Sequence, residues 1–199
     1  MGTDHVTEKQ PRAPRTDARR NHARILEVAH AVVAEQGTQA SLRDIARRAG
    51  IGLGTLYRHF PTRDELLETL LGERFDRLAA TATALETAHP PADALTEWLA
   101  EYAAFAAVYR GLTSSVMATL EDETSSLHAS CLAMRQTVGR LLGNAQRAGL
   151  VRSDVTATDL FALVNALGWI AEQAPSLAAR RDHLLGLVLD GLRPAAGRP

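Results

Sequence analysis

The sequence predicts an all-α protein in two parts, and three observations carry that prediction. Apolar residues recur at steps of three and four along most of the chain, which places them on one face of helix after helix. No run alternates with the period of two that a half-buried strand needs. Charge is also divided unevenly. Residues 1–60 hold ten Lys/Arg and six Asp/Glu, a difference of +4, while residues 61–199 hold twelve and seventeen, a difference of −5, summing to the overall −1. A basic first part suits a phosphate backbone, and an acidic second part argues against another nucleic-acid surface.

The first part opens with a polar stretch, residues 1–18, that contains Pro11 and Pro14 and shows no periodicity. It reads as a flexible basic arm. Arg12, Arg15, Arg19 and Arg20 either reach DNA or belong to a solvated tail. A helix from Asp17 or Ala18 to about Gln36 follows, with Ile25, Leu26, Ala29, Val32 and Val33 on its packing stripe and Gly37 at its end.

Ser41 to Phe60 then reads as two short helices joined by a tight turn. Ile45 and Ala49 are four apart, as are Leu56 and Phe60. Gly50 stands where the first helix must stop, and Ile51 plugs the turn. This is a helix-turn-helix, whose second helix can enter the DNA major groove. Gly52 and Gly54 suit close approach to a phosphate strand. Leu53, Thr55, Tyr57, Arg58 and His59 form the rest of the candidate DNA-facing set, with Ser41 and Arg43 at the first helix's N-terminus. Hydroxyls and imidazoles suit phosphate oxygens, and Arg58 can grip guanine O6 and N7 together.

Thr62 and Glu65 have the spacing of a capping box after Pro61, so a helix starts there and runs to about Thr87. Arg63 sits in its first turn and completes the DNA-binding candidates. His89-Pro90-Pro91 breaks the chain. The next helix, about Ala92 to Tyr109, carries Trp98, Tyr102, Phe105 and Tyr109 at steps of 4, 3 and 4, in a chain that is only 5 % aromatic. Two readings stand: a packed core, or the wall of an apolar cavity. The cavity reading adds Met117, Leu120, Cys131, Met134 and Trp169 to the wall. His128 and Asn165, with the two tyrosine hydroxyls, are then its polar tips.

A short helix near Ser114–Leu120, an acidic break at residues 121–126 and a helix from about Leu127 to Ala148 come next. Cys131 lies on the apolar stripe of that last helix and reads as a small buried hydrophobe. Gly149 stops it. Thr156 with Asp159 opens a helix that ends near Pro175, and a last helix runs from about Ser176 to Leu192. Gly168 and Gly186 would let helices approach closely, and the wide apolar arc of this pair calls for a partner or for the domain's own core.

Three segments carry a resemblance to a known family: ILEVAHAVVAEQG, SLRDIARRAGIGLGTLYRHF and TRDELLETLL. From about Arg24 to Leu71, roughly a quarter of the chain, the sequence closely resembles the DNA-binding region of the TetR family of bacterial transcriptional repressors. Ala40 departs from the threonine of many members, Gly52 from a serine, and Arg63 from a lysine near DNA phosphate. The resemblance implies that the last two helices form a dimer four-helix bundle. It also implies that a shift of the helix starting at Thr62 moves the recognition helix.

The composition excludes several classes. No ~20-residue apolar run spans a bilayer. The N-terminus has no apolar core of a secretory signal, and a single cysteine suits a reducing cytosol, so the expected location is cytoplasmic. No cluster has metal-ligand spacing and no nucleophile–base set stands out, so no metal, cofactor or enzymatic activity is expected. The expectation is an all-α chain of about nine helices: arm 1–18, a three-helix helix-turn-helix DNA-binding domain 19–62, and a ligand-binding and dimerisation domain 63–195. Its expected partners are a double-stranded DNA operator, a second copy in a homodimer and a small apolar or aromatic effector, with no membrane. The alternative is a constitutive or architectural helix-turn-helix protein without an effector.

Overall fold

The computed structural model describes residues 14–108 and 127–194, and nine helices lie among them. In chain order these are α1 (Pro14–Gln36), α2 (Leu42–Arg48), α3 (Leu53–His59), α4 (Arg63–Ala88), α5 (Pro91–Val108), α6 (His128–Arg147), α7 (Ala157–Gln173), α8 (Pro175–Ala178) and α9 (Arg181–Gly191). No strand occurs among the described residues.

Helix ends follow local chemistry. Gly50 closes α2 at φ +64°, with Gly50 N–H donating to Arg47 O at 3.1 Å and Ile51 N–H to Ala46 O at 3.0 Å. That bond pair is a Schellman motif, and Ile51 packs against the core as its apolar plug. The capping chemistry differs from the expectation at one point. At α4 only the Thr62 half of the box is formed: its hydroxyl accepts from Glu65 N–H at 3.1 Å. The reciprocal box is at α7, where Thr156 and Asp159 each accept from the other's backbone N–H.

Two boundaries also differ. α1 begins at Pro14, so the last residues assigned to the arm are helical. Proline's fixed φ suits a first turn and its missing N–H costs nothing there. The expected last helix is two helices, α8 and α9, because Arg180 leaves the helical region at φ −101° and ψ 8°. The expected short helix near Ser114–Leu120 and the acidic break lie outside the described residues.

A single apolar cluster runs from α1 through α9. α4 is its spine, packing chiefly on α6 and then on α5, while α5 also packs on α7 and α6. The α5–α7 crossing depends on Gly168: a Cβ there would lie 3.2 Å from the Ala106 Cβ and 3.4 Å from the Ala106 carbonyl oxygen. Both atoms are fixed to backbone and cannot rotate away. Gly139 in α6 is the contrast, since its nearest neighbour would be at an ordinary 3.8 Å. Gly139→Ala is expected to stabilise by about 0.5–1 kcal/mol through helix propensity. Gly168→Ala is expected to destabilise by about 1 kcal/mol, overpacking outweighing that gain. Urea unfolding of both variants checks this, and equal shifts would show that α5 and α7 part freely.

Candidate DNA-binding and effector sites

The helix-turn-helix is held from inside by Ile45, Ala46, Ala49, Leu56 and Phe60, all at most 3 % exposed. In α3 only Leu56 is buried. Gly52, Gly54, Tyr57 and Arg58 are exposed, Tyr57 by 45 %, while Leu53, Thr55 and His59 are half-buried. A Cβ at Gly52 or Gly54 would meet nothing within 4 Å, so neither glycine serves packing inside the chain. Arg58 lies back along its own helix, Nε donating to Gly54 O at 3.3 Å and a terminal nitrogen to Thr55 Oγ1 at 3.1 Å. The half-buried His59 has its ring 5.9 Å from that of His22, which in turn stacks on Phe60 at 4.8 Å.

Around α3, Ser41 and Arg43 are exposed, and Ser41 caps α2 by accepting from Asp44 N–H at 3.4 Å. Arg63 is half-buried, donating to Thr38 O at 3.3 Å. Ala40 is 3 % exposed, so its methyl closes the core instead of facing outward. Periodicity did not reveal the ties that lock α2 to α1. Arg48 bridges Glu35 at 2.8 Å and Asp44 at 2.9 Å, and Gln36 donates to Asp44 at 3.1 Å. Arg47, and then Gln36 and Arg48, hold the Asp44 carboxyl below the usual range. Arg47 and Arg48 therefore carry their own counter-charges.

The aromatic stripe of α5 lies inside. Trp98, Tyr102 and Phe105 are 1 %, 0 % and 3 % exposed. Trp98 and Tyr102 have ring centroids 5.3 Å apart, and Tyr102 and Phe105 6.1 Å. Their polar atoms are paired: Trp98 Nε1 donates to Leu78 O at 2.8 Å, and Asn165 Nδ2 donates to the Tyr102 hydroxyl oxygen at 2.5 Å and to Phe161 O at 2.8 Å. Burial pushes the Tyr102 phenol well above its ordinary value. Cys131 and Met134 are buried, and burial also raises the Cys131 thiol, which keeps it unreactive.

The family model described as "Bacterial regulatory proteins, tetR family" matches residues 25–70. A second, described as "Transcriptional regulator SbtR-like, C-terminal domain", matches residues 90–194, more than half of the chain. The chain belongs to the TetR family.

Two solved TetR regulators are similar over nearly their whole length. One, from Streptomyces coelicolor, is 35 % identical, with 88 % of this chain and 99 % of that one covered and a TM-score of 0.66. The other, from Mycobacterium vanbaalenii, is 34 % identical, with 92 % and 100 % covered and a TM-score of 0.61. An HTH-type transcriptional regulator of Staphylococcus aureus is 47 % identical over 53 residues, 26 % of this chain. The chain spans about 29 % of the length of that curated relative. TetR proteins are transcriptional regulators and not enzymes.

In this TetR chain the expected effector-site residues divide by where the structure places them. Trp98, Tyr102, Phe105, Cys131, Met134 and Asn165 are all buried. Trp169 is set apart: it is 53 % exposed on the outward side of α7. His128 is half-buried in the first turn of α6. Tyr109, Met117 and Leu120 lie outside the described residues. Phe161 belongs with the first group, its ring 5.5 Å from Tyr102. Its signal was present in α7, where Phe161, Asn165 and Gly168 form a buried row beside Leu160, Val164 and Leu167. No helix among the described residues is long and apolar enough to cross a membrane.

Proposed function

We propose that the protein is a homodimeric repressor that binds a palindromic DNA operator and is released from it by a small apolar or aromatic effector. The observation that carries the reading is α3: a seven-residue helix that buries only Leu56 and, with its exposed N-cap Gly52, turns Gly54, Tyr57 and Arg58 outward. In the groove, Arg58, Tyr57 and Thr55 face base edges and phosphates. Ser41, Arg43, Leu53, His59 and Arg63 line the strand, and the bare Gly52 and Gly54 let the backbone come close. The DNA-binding part is residues 19–62, the effector and dimer part 63–195, and the protein acts on cytoplasmic DNA.

Self-association is supported by α7 and α9. Leu163, Trp169 and Leu187 are 41 %, 53 % and 56 % exposed, large apolar groups that water does not favour. A twofold dimer places two copies of α3 on successive turns of DNA. The effector enters beside Tyr102 and exchanges the Tyr102–Asn165 bond for its own polar contact. It weakens DNA binding only through a higher affinity for the released state.

The second reading, a constitutive regulator with no effector, is favoured by the close packing of Trp98, Tyr102 and Phe105. A thermal-shift series with small aromatic compounds separates the two: a rise in midpoint with one compound class supports the effector, and none supports the filled core.

The DNA reading is tested by selecting sites from random duplexes. An inverted repeat is expected, with an affinity that falls steeply between 50 and 200 mM salt, on the order of 10³-fold or more for six or more phosphate contacts. Failure of any sequence to enrich would overturn it.

A further inference from the structure

α1 meets α4 along a groove of about 740 Å³, lined by Glu27, His30 and Ala34 of α1, by Glu73, Arg74, Asp76 and Arg77 of α4, and by Val108 at the end of α5. His30 is the point of contact. Its Nε2 is 3.2 Å from Glu73 Oε2 and 3.1 Å from an Arg77 terminal nitrogen. These two neighbours make opposite demands. A carboxylate needs an N–H on Nε2, whereas a guanidinium needs a lone pair there. One nitrogen cannot satisfy both at once. The neutral ring protonated on Nδ1 accepts from Arg77, the neutral ring protonated on Nε2 donates to Glu73, and the doubly protonated ring can only donate to Glu73 and repels Arg77.

The rest of the surroundings is mixed in charge. Arg74 stands one turn before Arg77 on α4, with its guanidinium 5.6 Å over the Phe105 ring. Glu27 and Asp76 line the groove as further negative groups. Burial, first, and the two arginines hold the His30 imidazole below its ordinary value, against the opposing pull of Glu73. The sign follows. The folded chain takes up this proton less readily than the unfolded one, so the contribution to stability falls as pH drops below about 6.5.

α1 is positioned to transmit a change at His30. Its C-terminal turn holds α2 through Glu35–Arg48 and Gln36–Asp44, and His22 near its start stacks on Phe60 behind α3. The tilt of α1 on α4 therefore carries α2 and α3 with it.

We propose that His30 is a positioning residue that sets how the DNA-reading helices sit on α4, and that it does so as a proton-operated selector. The neutral ring protonated on Nδ1, accepting from Arg77, holds the DNA-binding spacing; protonation removes that acceptor, leaves only the bond to Glu73 and gives the spacing up. The proposal rests on the reading that α3 docks into DNA.

The test uses the full chain on the duplex selected above. His30→Gln keeps a side chain that donates to Glu73 and accepts from Arg77 together, and it does not titrate. Operator affinity of the wild type and of His30→Gln is compared from about pH 7.5 to about pH 5.5. Other histidines, His22 and His59 among them, act equally in both proteins and cancel in the ratio. The wild-type to His30→Gln affinity ratio is expected to fall about 5- to 10-fold on acidification, the lower end of the coupling usual between linked sites. Arg77→Met, which removes the contested donor, is expected to bring the neutral-pH affinity near the acid wild-type value. A ratio constant with pH overturns the proposal and leaves the DNA reading intact. The absence of any selected duplex overturns both.

Discussion

Trp98→Ala is expected to lower the folding stability by about 3–5 kcal/mol, the usual cost of emptying a large buried aromatic site. The ring is 1 % exposed, packs on Tyr102 at 5.3 Å, and anchors α5 to α4 through its bond to Leu78 O. Truncation removes all three at once. Trp98→Phe separates the contributions. It keeps much of the packing and loses the N–H bond, so a smaller loss of about 1 kcal/mol for the bond is expected, plus some unfilled volume. Denaturant unfolding of both variants measures this. A loss below about 1 kcal/mol for the alanine variant would mean that the ring borders open space, which would favour an effector cavity at that spot.

Arg58→Ala is expected to weaken operator binding by about 1–3 kcal/mol, or roughly 5- to 150-fold, with the fold unchanged. Among the described residues, the hydrogen bonds of Arg58 stay within α3, to Gly54 O and Thr55 Oγ1. Those bonds are exposed and cheap to exchange for a base edge. The comparison of selected and scrambled duplexes carries the interpretation. A loss confined to the selected duplex marks base reading. An equal loss on both, with the salt dependence reduced by about one counterion, marks a phosphate contact and removes Arg58 from the specificity set.

The helix-turn-helix was the most legible part of the chain because its determinants are local. Gly50 ends α2 by a backbone conformation that its own residue type permits, and Leu56 and Phe60 mark the inner face by spacing alone. The candidate effector residues were less legible. A stripe of aromatics at helical spacing shows that Trp98, Tyr102 and Phe105 share a face, but not what that face meets. Trp169 shows the same limit from the other side: an apolar residue in an apolar helix, yet placed on the outer surface. Gly168 and Gly186 look alike in sequence. Only Gly168 has a neighbour where its Cβ would be, and that neighbour is Ala106 of α5.

By itself, then, the sequence determined the all-α class, the helix ends set by glycine, proline and capping residues, the helix-turn-helix and the separation of basic and acidic parts. These depend on bonds within five residues or on summed charge. Tertiary structure alone decided which faces meet. Tyr102 and Asn165 are 63 residues apart, His30 and Glu73 are 43 apart, and His30 and Arg77 are 47 apart. Helical periodicity sets the direction in which a side chain points, whereas its partner is chosen by how α4, α5 and α7 pack as bodies. That choice depends on the shapes of many side chains at once, so no short stretch of sequence records it.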